Sequence, residues 1–527
     1  MLEQRLVLPS LLAGRAAETP DRTWIQHVDG ASMTYADVED RIVTWATALR
    51  GLGVGRGDTV VVMMPNSFDA ALVWPAVARR GGIEVAINTA YRGSILMHVV
   101  NNSEARVGIV DAGFVDRFEA VRPELLHLET IVVVNADGED LPAWGGTTVR
   151  ADDVLTEGDP GAAAFFPAYH DTACILYTSG TTGPSKGVVI PWAQVYRTST
   201  GMYDIDDFTE EDAWYSPFPL FHMSGKLALY GTAIFGGRFV VREYFKTDEF
   251  WSDIDRFECS IFMVIGATPA FIWNLPRSPD DGDHALKYTL MAPMPEDPDA
   301  FVERYGWRLC TVFNMTEISG PVRSGWERGP KGSAGRIRPG YEVRIVDEHD
   351  EEVAPGVLGE IVVRSDDPWV LNAGYWKNPE ATVKAWRNYW FHTGDAGRYD
   401  EEGWYYYVDR LKDAIRVSGE NVSSMEVEAV VQDSPDVVEA AAVGVPSEFG
   451  EESIKLYVVP ATEDFDAVRL MDFLKPRLPR FMMPRYVVAV DELPKTPTEK
   501  VRKHLLRERP MEANAWDRVE AGYEIPR

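Results

Sequence analysis

Short apolar runs ending in Gly, Pro or Asn alternate with longer stretches of helical spacing through roughly the first 400 residues, and this leaves few folds open. TVVVMMP (59–65), GGIEVAI (81–87), TIVVVN (130–135) and ACILYT (173–178) read as buried strands. ADVEDRIVTWATALR (36–50) and FDAALVWPAVARR (68–80) carry apolar residues at helical spacing, with Pro75 a candidate kink in the second. From Ser423 the order becomes helix (SSMEVEAVVQDS), strand (VVEAAAVGVP), strand (SIKLYVVP), helix (DAVRLMDFLKPRL) and strand (YVVAVDEL). The expectation is therefore a large α/β domain over 1–409 and a small α+β domain over 410–527, joined near YYYVDRLKD (405–413). The tail after Leu506 is polar with few anchors, which predicts loose packing.

At 527 residues the chain exceeds one hydrophobic core, and its formal charge of −30 repels polyanions, which argues against nucleic acid. Cys174, Cys259 and Cys310 are odd in number and widely spaced, so neither a disulfide framework nor a zinc site is expected; a reducing cytoplasm fits. The apolar run at the start is short and interrupted by Arg5, so no secretory signal is read. No run of about 18 apolar residues suggests a membrane span.

YTSGTTGPSKG (177–187) is the stretch that carries chemistry. A strand ending at Thr178 enters a loop of glycines, which let a ligand approach the backbone, and of hydroxyls, which donate hydrogen bonds; Lys186 adds a positive charge. That combination suits a polyphosphate. It is not a Walker loop, because Lys186 follows Gly183 by three and precedes another glycine.

This string resembles the phosphate-binding signature of the adenylate-forming enzymes, the superfamily of acyl-CoA synthetases, adenylation domains and luciferases. FPLFHMSG (218–225), NMTE (314–317), WFHTGD (390–395), VDRLKD (408–413), VSGENVSSMEVE (417–428) and PKTPTEK (494–500) follow in the family's order over nearly the whole chain. The details lean toward carnitine-CoA ligase-like acyl-CoA synthetases. The resemblance implies that Thr178, Ser179, Gly180, Thr181, Thr182 and Gly183 hold ATP or AMP phosphates, with Phe313, Asn314, Met315 and Thr316 at the adenine. It puts Asp395 and Arg410 at the ribose and phosphates, Glu317 and Thr182 at magnesium, and Lys186 and Lys500 at the developing phosphoryl charge. His222, Met223, Gly225, Met291 and Ala292 would border a carboxylic acid; Lys412 would be the hinge; Ser418, Gly419 and Glu420 would meet coenzyme A. The implied reaction is carboxylate adenylation followed by attack of the CoA thiol, with a homodimer unsurprising.

Three departures stand out. Asn314 replaces the family's usual glycine and is expected to narrow the junction of acyl and nucleotide pockets, and Lys226, just after HMSG, is expected to point to solvent rather than toward a polar acyl group. Glu499 precedes Lys500 where the family has glycine. A left-handed backbone there would cost roughly 1–2 kcal/mol, and a carboxylate about 4 Å from a phosphate charge on the order of 4 kcal/mol at an effective dielectric near 20. A second reading is therefore a thioester-forming transferase that takes acyl-adenylate from a companion adenylating enzyme. A third is an adenylation enzyme that loads a separate carrier protein.

Overall fold

The strand Thr59–Met63 has both faces buried, as a run of Val and Met without alternation requires, and it lies in the middle of a sheet. The structure, a computed structural model, describes residues 3–525 except 137–140, 142, 179–184, 266–267, 280, 293, 296, 411–414, 418–419, 423, 448–451, 479 and 497–499. The described residues fall into two units, Met1–Glu342 with Arg364–Tyr389, and Val343–Val363 with Trp390–Arg527.

The first unit holds two seven-stranded sheets. One runs in the order 147–150, 130–134, 107–111, 59–63, 83–86, 172–178, 186–191, parallel except for its last strand. The other runs 308–310, 288–292, 261–265, 213–216, 238–241, 23–27, 32–34, again parallel except at the last. All four strands read from sequence are present, as are both helices. Tyr35–Gly51 starts in a capping box between Thr34 and Asp37, and Phe68–Arg79 is capped by Ser67 and runs as one helix with Pro75 inside it. Trp24, Trp45, Trp74, Trp192 and Trp214 lie in one continuous core between the layers.

The strands 341–346, 359–365, 391–399 and 405–410, most of whose residues belong to the second unit, form one sheet. The contact division therefore falls earlier than residue 410, because the strand Phe391–Tyr399 pairs with Gly359–Ser365 on one side and Tyr405–Arg410 on the other. Beyond it the helix Ser424–Gln432, the strands Val437–Pro446 and Glu452–Pro460, the helix Ala467–Leu474 and the strand Tyr486–Ala489 follow in the expected order. The tail differs from expectation. Trp516–Asp517 pairs with Tyr486–Val487, Trp516 and Tyr523 pack on the core, and Glu512 pairs with the buried Lys455 at 2.6 Å. Three scattered anchors, not an apolar run, hold it.

Candidate functional site

Thr178 and Lys186 face each other across an antiparallel hairpin, at the mouth of the glycine-rich loop. Ser179, Gly180, Thr181, Thr182 and Gly183 lie outside the described residues. The hairpin needs Gly187, since a Cβ there would come within 2.8 Å of Ile175 Cγ2 and 3.0 Å of Tyr177 Cζ. The chain returns along the strand's other edge: Val189 N–H donates to Gly374 at 3.0 Å, Ala373 N–H to Val189 at 2.9 Å, and Trp376 N–H to Gly187 at 2.7 Å. This places the Tyr375 ring 5.0 Å from Lys186 Nζ and its hydroxyl 3.1 Å from Glu317 Oε1, to which it donates. His98 Nε2 lies 2.9 Å from the Ser185 carbonyl and donates to it, fixing the loop's far end.

Glu317 is only 6% exposed and sits in the irregular loop between the strands Val312–Phe313 and Val322–Arg323. Phe313 is buried, while Asn314 turns Oδ1 back to accept the Gly320 N–H at 2.8 Å. The side chain expected to narrow the pocket junction thus closes its own loop, where Gly320 takes a positive φ of 63°. Met315 is half-buried and Thr316 buried beside it.

His222 caps the helix Met223–Phe235, its Nδ1 3.2 Å from Ser224 Oγ. The turn before it is held by Asn66, whose Nδ2 donates to the carbonyls of Phe218 and Arg242 at 2.9 Å each and whose Oδ1 accepts the Leu220 N–H at 2.9 Å. Gly225 lies against this turn: a Cβ would sit 2.5 Å from the Pro219 oxygen. Met223 is buried, Ala292 half-buried at a strand end, and Met291 is packed in the core of the second sheet with Val264 and Phe262. Lys226 does not point to solvent. It is 1% exposed, ion-paired with Glu84, and its Nζ lies 4.1 Å from the Trp74 ring centroid. Burial pushes the Glu84 carboxyl up, against the pull of Lys226, and the neighbouring Cys174 thiol up to about 12, which leaves that thiol inert. The apolar helix around Lys226 and the apolar strand around Glu84 were the signal: one charge in each.

In the second unit, Asp395 is buried and opposite Arg410 in register. Its N–H donates to Thr393 Oγ1 at 3.1 Å; Glu360 accepts the Gly394 N–H at 3.0 Å and meets His392 Nδ1 at 2.9 Å, holding the turn. The Arg410 and Glu420 side chains, and Lys412, Ser418, Gly419 and Glu499, lie outside what is described. Lys500 is exposed, its N–H donating to Thr496 Oγ1 at 3.1 Å and its carbonyl accepting the Thr496 N–H at 2.7 Å.

Among the described residues no cluster of three or more His, Cys, Asp or Glu could hold a metal. A single buried carboxylate fits magnesium nonetheless, because that ion keeps several waters and takes phosphate oxygens alongside one or two carboxylates. Among the described residues no helix is long and apolar enough to cross a membrane.

The described geometry is thus a hairpin with a cation at its base and a buried carboxylate joined to it through Tyr375. The chain belongs to the AMP-binding enzyme family: that family's model matches residues 12–376, and the model of the AMP-binding enzyme C-terminal domain matches 426–500. It is 30% identical to long-chain-fatty-acid–CoA ligase FadD13 of Mycobacterium tuberculosis over 94% of this chain and 97% of that one. It is 28% identical to crotonobetaine/carnitine–CoA ligase of Salmonella paratyphi A over 90% and 93%. The crystal structure of ATP-bound MatB from Rhodopseudomonas palustris superposes with a TM-score of 0.82 at 26% identity, covering 95% of this chain and 98% of that one. Neither the transferase nor the carrier-loading reading gains support from these relatives.

Proposed function

We infer that this chain is an AMP-forming acid–thiol ligase. A carboxylic acid attacks the α-phosphorus of ATP to give an acyl-adenylate and pyrophosphate; the CoA thiol then attacks the acyl carbon to give the thioester and AMP. The observation that carries this reading is the Thr178–Lys186 hairpin with Tyr375 bridging from Lys186 to Glu317. It sets a cation and a carboxylate beside a loop built for phosphates, in a chain aligned along more than nine-tenths of a CoA ligase. Lys186 and Lys500 stabilise charge on the phosphoryl oxygens. Asp395 accepts the ribose hydroxyls and Arg410 pairs with ribose or phosphate. Phe313 faces adenine, with Asn314, Met315 and Thr316 beside it. Magnesium, held by Glu317 and Thr182, would supply charge neutralisation between phosphate oxygens. His222, Met223, Gly225 and Ala292 line the acid, whereas Met291, expected beside them, packs on the opposite face of its strand with Val264 and Phe262 and does not reach it. Rotation about Lys412 exchanges Lys500 for Ser418, Gly419 and Glu420, which border CoA. Three buried thiols support a reducing cytoplasm.

The test couples product balance to one variant. Acid, ATP and CoA should yield thioester, AMP and pyrophosphate in equal amounts. Lys500→Ala should abolish acyl-AMP formation from ATP yet leave thioester formation from supplied acyl-AMP. AMP release without thioester across fatty, aryl, terpenoid and steroid acids would refute the reading.

A further inference from the structure

The loop from Asn314 to Pro321 is mostly buried yet forms neither helix nor strand, so its carbonyls must find donors outside a regular ladder. Every one from Met315 to Pro321 does. Ile318 N–H serves Met315 at 3.2 Å. Gln194 Nε2 donates to both Thr316 at 2.8 Å and Ile318 at 3.3 Å. Asn372 gives both its backbone N–H and Nδ2 to Glu317, each at 3.0 Å. Arg338 Nη1 serves Ser319 at 2.8 Å and Gly320 at 2.9 Å, and its N–H serves Pro321 at 2.8 Å. Gln194 and Asn372 are 0% and 4% exposed.

The contacts on either side of Glu317 are the informative ones. Gln194 grips the carbonyls of residues i−1 and i+1 around it with one nitrogen, and Asn372 grips the carbonyl of Glu317 itself. The peptide planes on both sides of this residue are thereby fixed, and with them the direction of its Cα–Cβ bond. Tyr375, three residues after Asn372, then orients the carboxylate through Oε1. Gln194 lies on the helix Trp192–Ser199 and Asn372 in the return segment, so two separate elements converge on one acidic residue. A carboxamide nitrogen supplies these donors without bringing a positive charge, as lysine or arginine would, beside a carboxylate meant for a cation.

We propose that Gln194 and Asn372 are positioning residues that aim the Glu317 carboxylate at the metal–nucleotide complex. This rests on the assignment of Glu317 to magnesium. Groups that orient metal ligands typically cost 10–100-fold in metal affinity or activity when replaced. Gln194→Met keeps the volume and removes both donated bonds; Asn372→Ser is milder, since the backbone N–H to Glu317 survives.

The experiment is binding of Mn(II)–ATP to the full chain, followed by electron paramagnetic resonance without acid, alongside metal-free AMP binding, the magnesium dependence of ATP–pyrophosphate exchange, and thermal unfolding. Gln194→Met is expected to weaken Mn(II)–ATP about tenfold and raise the magnesium midpoint in step, with AMP binding unchanged; Asn372→Ser should move both the same way by a few-fold. Should Gln194→Met fail to fold, Asn372→Ser decides. Equal losses of AMP and Mn(II)–ATP binding, or a lower unfolding temperature with unchanged metal dependence, would overturn the proposal and leave both residues as scaffolding. Glu317→Gln separates the two layers: if it leaves Mn(II)–ATP binding intact, the magnesium assignment and the proposal fall together, whereas an effect of Glu317→Gln alone overturns only the proposal.

Discussion

Lys226 and Glu84 cross between a helix and a strand that are otherwise apolar, and their pairing links the layer bearing His222 to the sheet bearing the glycine-rich hairpin. Lys226→Met strands a buried carboxyl and should destabilise the chain by about 3–5 kcal/mol, read as a shift in denaturant midpoint. Adding Glu84→Gln should recover most of that loss; no recovery would show that the two do not act as a pair. Asn66 works through geometry. Asn66→Ala deletes three hydrogen bonds, two to the turn that leads to His222 and one to Arg242, and should cost about 2 kcal/mol. It should also raise KM for the acid while KM for ATP stays put, measured by varying each in turn. The candidate site residues come from motifs: Lys186, His222, Glu317, Asp395 and Lys500 all stand in recognisable strings. Their supports do not. Asn66, Gln194 and Asn372 are single amides that donate to carbonyls between 55 and 176 residues away, and nothing local marks a side chain that will serve a distant carbonyl.

The hairpin shows what element-level reading can and cannot reach. Its two strands follow from β-branched composition, and the loop between them from glycine. Its outer edge does not, because residues 373–376 join it chiefly through backbone bonds and carry no alternation of their own. Gly187 is where the two readings meet, as the close approach of Ile175 and Tyr177 leaves no room for a methyl group. Gly187→Ala should destabilise by about 1–3 kcal/mol and shift Tyr375 off Lys186. ATP–pyrophosphate exchange should fall more steeply than thioester formation from supplied acyl-AMP, and an unchanged ratio of the two would count against that displacement.

Across the whole molecule, the strands 341–346 and 359–365 resemble in sequence the α/β runs before them, and only their pairing reveals which sheet they join. The second unit also carries its own titration. Burial pushes the Glu428 carboxyl up to about 7, against Lys503 at 2.8 Å and the Ala442 N–H at 2.6 Å. A raised carboxyl holds its proton more tightly folded than unfolded. Its contribution is therefore present in full near pH 4.5 and is lost as pH rises toward 7, by on the order of 3 kcal/mol. Hydrogen exchange of the amides in 424–432 should quicken over that window, and Glu428→Gln should flatten the profile. The C-terminal tail has a practical consequence for anyone trimming the chain. Cutting before Trp516 would uncover the edge of the strand Tyr486–Ala489, and cutting before Glu512 would also leave Lys455 buried without its carboxylate. An open edge of that kind pairs with other copies, so shortened versions should turn up as aggregates.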